Sequence, residues 1–80
     1  MKLETLLHLI DNKEYIRIEK QLWAFGDYYA VPVFEGPKED VMITMNEDEE
    51  KVRALKGKVI NIRPGFAPFK RQDEIVIIIR

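Results

Sequence analysis

The sequence predicts a small α+β domain: an N-terminal helix, a β-hairpin, a second helix and a C-terminal strand pair, assembled on one mainly antiparallel sheet. Three observations predict it. Leu3, Leu6, Leu7 and Ile10 recur at i, i+3, i+4 and i+7, the apolar stripe of an amphipathic helix. Ile16 and Ile18 alternate with Tyr15, Arg17 and Glu19, the period-two pattern of a strand with one wet face. Ile75–Ile79 is an unbroken apolar run, too short for a membrane helix and suited to a strand buried on both faces or at the sheet centre.

In chain order, the first helix ends at Asp11-Asn12. Strands are expected over Glu14–Lys20 and Tyr28–Glu35, joined through Gly26-Asp27, a pair suited to a tight turn because glycine accepts positive φ. Pro32 lacks the amide hydrogen a ladder needs, which places the second strand at an edge or gives it a bulge. Glu35-Gly36-Pro37 then breaks the chain. Val41, Ile43 and Met45 alternate with Met42 and Thr44, predicting a short third strand. Asn46 is a good N-cap with Glu49 three residues on, an approximate capping box. The acids Glu47–Glu50 complement the positive end of the helix that follows, Lys51, Arg53 and Lys56 its negative end, and Gly57 stands where a left-handed cap belongs. Lys58–Arg63 is expected as a strand with Ile60 and Ile62 inward. Pro64–Glu74 is left as a connection long for a hairpin.

Eighty residues make one domain, residues 1–80, with a small core. The composition, 46% hydrophobic and 34% charged, is that of a folded chain and lacks the signature of disorder. Small secreted domains usually rely on disulfides, and the absence of cysteine favours an intracellular, cytoplasmic setting. Lys2, Glu4 and His8 interrupt the first ten residues, so they are expected to form neither a signal peptide nor a membrane span.

The residue inventory argues against catalysis. There is no serine, no cysteine and one histidine, so most nucleophile–base constellations cannot be built. A carboxylate acid–base pair needs a cleft for which so short a chain has little room. No cofactor motif is present. His8 has no partner for a metal site and is read as a solvated helix residue, and Glu47–Glu50 lacks the spaced acids and central glycine of a calcium loop.

Charge is bipolar. Residues 35–50 hold seven acids against Lys38 alone, whereas residues 51–71 hold seven bases and no acid, within a chain whose net charge is −1. Three surfaces are therefore candidate contacts with a protein partner. Phe66, Phe69, Lys70 and Arg71 either grip a hot spot or stack on bases, or the two rings fold back as a lid on the core; the lid is preferred, since a small domain needs every apolar side chain. Glu47, Asp48 and Glu50 form an ordinary solvated face or imitate a phosphate backbone. Trp23 and Tyr28, with Phe25 and Tyr29, cluster around the hairpin turn, packing across strands or projecting as a docking patch. A homodimer through the Pro32 edge or this patch is a further expectation. Nucleic-acid binding by residues 51–71 is the alternative and predicts steep salt dependence.

The opening Met1-Lys2-Leu3, Leu6-Leu7 and Leu9-Ile10-Asp11, the segment Val33-Phe34-Glu35-Gly36, the run Val59-Ile60-Asn61-Ile62-Arg63-Pro64-Gly65 and the terminal isoleucine strand together resemble small accessory proteins encoded by phages and prophages. That resemblance implies a small α+β accessory protein and supplies no catalytic residues; the expected partner is a host or phage protein, which the chain occludes or bridges. Leu6-Leu7, Ile10 and Asn12-Lys13-Glu14-Tyr15 also look like the start of a type II anti-CRISPR family, whose acidic face imitates DNA. This chain departs from that family after its first twenty residues, its C-terminal third being basic and strand-rich.

Overall fold

The computed structural model describes residues 1–47 and 49–80, Met42 by its backbone alone. It is an α+β domain: α1 (Leu3–Leu7), β1 (Tyr15–Ala24), β2 (Asp27–Pro37), a 3-10 turn (Lys38–Asp40), α2 (Val41–Met45), α3 (Glu49–Leu55), β3 (Val59–Ala67) and β4 (Gln72–Ile79). The four strands form one mixed sheet in the order β2-β1-β4-β3. Two antiparallel hairpins, β1–β2 and β3–β4, meet along a parallel seam in which Ile16, Ile18 and Lys20 stand beside Ile75, Ile77 and Ile79. Among the described residues no helix is long and apolar enough to cross a membrane.

The period-two pattern of β1 decides which face is covered. Ile16 and Ile18 join Phe34, Ile77 and Ile79 on one face, closed by Leu3, Leu6 and Leu7 of α1, Val41 and Met45 of α2, and Ala54 and Leu55 of α3. Ile10 packs against this cluster from beyond the end of α1, which stops at Leu7. Among the described residues no helix packs on the opposite face.

Several expectations are corrected. Val41–Met45 is a helix, not a strand. Val41 and Met45, four residues apart, are fully buried while Ile43 is exposed, so the apolar spacing that matters is four and not two. Asn46 is accordingly the C-cap of α2, not the N-cap of the next helix, and the start of α3 falls beside Asp48, outside the described residues. Glu35-Gly36-Pro37 does not break the chain but continues β2, pairing with Arg17, Ile16 and Tyr15.

The hairpin turn is Phe25-Gly26, one residue earlier than expected, with φ of 53° and 80°; positive φ at both central positions marks a type I′ turn. Pro32 satisfies both sequence alternatives, since β2 is an edge strand and its register shifts where Val33 is extra. Gly57 is not left-handed. A Cβ there would lie 3.0 Å from the Ala54 carbonyl and 3.2 Å from Ile79, so close packing of α3 on β4 is what calls for glycine.

Residues 64–74 are mostly strand. β3 and β4 pair down to Ala67 and Gln72, leaving a four-residue tip, Pro68–Arg71, in which the Lys70 amide donates to the Ala67 carbonyl and Arg71 is left-handed. Ile62 is half-exposed, because the helical layer leaves the middle of edge strand β3 uncovered; Ile60 is extra in the register.

Candidate functional site

Strand lengths create a projection. β4 pairs with β1 only as far as Lys20, whereas β1 and β2 remain paired through Ala24 and Asp27. Gln21–Ala30 therefore leaves the sheet as a two-stranded arm. Counting back from the two-residue turn, Ala24 and Asp27 form a hydrogen-bonded pair and Trp23 and Tyr28 a non-bonded one, in which side chains approach most closely. Their rings meet edge to face, centroids 4.7 Å apart. Trp23, Phe25, Tyr28 and Tyr29 are all exposed, and Phe25, at the tip, is 105% accessible.

The Phe66–Arg71 segment lies at the other end of the molecule, because β4 runs parallel to β1 and its hairpin tip precedes it. The lid reading is overturned: Phe66 is more than half exposed and Phe69 is 99% exposed, so neither ring covers the core. Sequence grouped these residues with Trp23 and Tyr28 as contact candidates, but the topology separates the two groups by the length of the sheet. Lys70 shares a shallow depression with Lys13, Tyr15 and Glu35.

The acidic segment is divided as well. Glu35 sits on the uncovered sheet face, Glu47 and Glu50 are exposed on the helical layer, and Asp48 lies outside the described residues. Glu50 lines a cleft at the base of the arm with Lys20, Leu22, Val31 and Ala54. The bases of residues 51–71 are equally dispersed. Arg53 pairs with Glu49 on α3 at 3.1 Å, Arg63 reaches Glu19 on the uncovered face at 3.8 Å, and Lys70 and Arg71 occupy the far tip.

One cluster was missed from sequence. On the uncovered face, Arg17 lies between Glu19, at 3.8 Å, and Glu74, at 4.0 Å, with Glu35 opposite it on β2. The Glu74 side chain is 2% exposed, and among the described residues neither its Oε2 nor Nε of Arg17 has a hydrogen-bond partner. Burial, and next the charge of Glu35, pushes the Glu74 carboxyl above its ordinary range; the guanidinium of Arg17, held at loose ion-pair distance, offsets only part of this. Burial and the same two carboxylates raise the Tyr15 phenol. No sequence signal joins residues 17, 35 and 74, which only strand register brings together. Among the described residues no group of three or more histidines and carboxylates is arranged to hold a metal ion.

Comparison with protein-family models, with curated proteins and with solved structures finds no match to this chain.

Proposed function

We propose that this chain is a non-catalytic protein-binding module, an accessory protein of the phage type its sequence resembles, which docks by the β1–β2 arm and occludes the surface it covers. Phe25 carries this reading. A type I′ turn strongly prefers asparagine or glycine at its first central position, and a bulky residue there costs about 1–2 kcal/mol in left-handed backbone strain. Phe25 bears that strain and makes no compensating contact in the monomer, its ring being fully exposed. A residue that breaks a local folding rule without a structural return points to selection for something outside the fold. An exposed aromatic flanked by Trp23 and Tyr28 has the chemistry of a hot-spot anchor for an apolar pocket on a partner.

The arm also favours protein over nucleic acid. Gln21–Ala30 contains no lysine or arginine, and its one charge is Asp27. Stacking on bases without phosphate contacts gives up the term that dominates nucleic-acid affinity.

The test is nuclease-treated affinity capture followed by reconstitution from purified components. The wild type is compared with Trp23→Ala/Phe25→Ala/Tyr28→Ala and with Phe66→Ala/Phe69→Ala/Lys70→Glu/Arg71→Glu, each shown to be folded. A nuclease-resistant protein complex lost only with the arm variant is the expected result. Loss only with the loop variant moves the site to the opposite end, and recovery of nucleic acid alone overturns the proposal.

A further inference from the structure

The edges of the sheet are guarded unequally. At β3, the Val59 amide donates to the Met1 carbonyl at 2.8 Å and Lys2 bridges to Lys58, so the chain's first residues cover the strand's beginning, and Arg63 and Pro64 follow. These are devices that keep an edge from pairing with another chain. On β2 the comparable devices, Pro32 and the register shift beside it, stand at the base of the arm. From Tyr28 to Val33 the strand reads Tyr-Tyr-Ala-Val-Pro-Val, with no charge. An isolated two-stranded ribbon is marginal in water, and a third and fourth strand would stabilise it.

The register defines what this edge offers. With Ala24 and Asp27 a bonded pair, alternation places the backbone groups of Tyr28, Ala30 and Pro32 outward, away from β1. Pro32 therefore loses no bond to β1, but it presents an acceptor and no donor. The segment is self-complementary about Ala30. Antiparallel pairing with a second copy sets Ala30 opposite Ala30, where the two exchange reciprocal bonds. Each Tyr28 amide then meets a Pro32 carbonyl. Tyr29 falls opposite Val31, a favourable aromatic and β-branched pair, and Asp27 falls opposite Val33, so no like charges face each other.

Resting on the reading of the arm as the docking element, we propose that two copies pair along Tyr28–Pro32 with Ala30 at the two-fold axis, merging their arms into one four-stranded ribbon. The pairing is isologous. It leaves the Trp23–Tyr28 faces of both copies on the same side and the Phe25 tips at opposite ends, so the assembly would display two anchors.

Sedimentation equilibrium of the full chain at concentrations up to about 100 μM tests this directly. The wild type is expected to dimerise. Ala30→Pro removes only an outward-pointing N–H and is expected to weaken self-association at least about tenfold with an unchanged far-UV spectrum. Ala30→Lys, which keeps the N–H and adds a guarding charge, is expected to do the same, and it decides the matter if Ala30→Pro fails to fold. A monomeric wild type, or a dimer that survives the deciding variant, overturns the proposal. A dimer lost with Phe25→Asn but kept with the Ala30 variants overturns it in favour of contact through the tips. Partner capture lost with Phe25→Asn while the dimer persists bears on the docking reading alone.

Discussion

Phe25 and Arg71, in left-handed backbone, and the buried Glu74 each carry a local penalty, and at Phe25 and Glu74 it gives a measurable consequence. Replacing Phe25 by asparagine supplies the preferred first residue of a type I′ turn and removes only a ring that touches nothing in the monomer. The variant should be more stable than the wild type by about 1 kcal/mol in denaturant titrations. Glu74 acts through protonation. Its carboxyl is raised in the folded state, so the folded chain favours the neutral form. The stability it contributes is fully present below the unfolded value of about 4.3 and is lost as pH rises through the folded value. Glu74→Gln mimics the neutral acid, so it should exceed the wild type in stability at neutral pH, with the gap closing as pH falls toward 4. Parallel curves at all pH values would show that Glu74 ionises in the fold as freely as in the unfolded chain.

Among the elements, the seam between β1 and β4 carries the core. Ile77 is fully buried there, so Ile77→Ala should cost about 3 kcal/mol, whereas Ile62→Ala, half-exposed on β3, should cost less than about 1 kcal/mol. Chemical denaturation of the two variants checks the contrast. The seam also marks the limit of sequence reading. Alternation located β1, and the isoleucine run offered the sheet centre, where β4 lies, as one of two placements, because both signals are local. That these two strands run parallel depends on a pairing between residues about sixty apart, and no local pattern records it. Val41 and Met45 fit a spacing of two as well as four, and only the exposure of Ile43 separates helix from strand. The turn was displaced by one residue because phenylalanine is an unexpected occupant of left-handed backbone. The hairpin aromatics were legible as a cluster, whereas the Arg17–Glu74 cluster was not, its members being united only by register.

At the scale of the whole molecule, the alternation of charge along the chain does not become a molecule with one acidic and one basic side. Glu35 and Glu50 lie on different layers, and Arg53, Arg63 and Arg71 lie on the helical layer, the uncovered face and the far tip. Dispersed bases make few simultaneous phosphate contacts, so any affinity for nucleic acid should be weak and depend little on salt, a slope of log K against log [salt] shallower than about −2. A filter-binding series across salt concentrations checks this; a steep slope with tight binding at low salt would restore the nucleic-acid alternative. What the architecture does gather is aromatic surface, carried beyond the sheet on an arm with no basic residue.

The most direct test of the arm as a docking element is a paired measurement on Phe25→Asn: its unfolding free energy, and its affinity for the protein captured by the wild type. The account predicts opposite signs, a fold more stable by about 1 kcal/mol and binding at least about tenfold weaker, because the ring that strains the turn is the ring that enters the partner. Unchanged affinity in a stabilised variant would contradict it, leaving Phe25 as a strained residue with no part in binding.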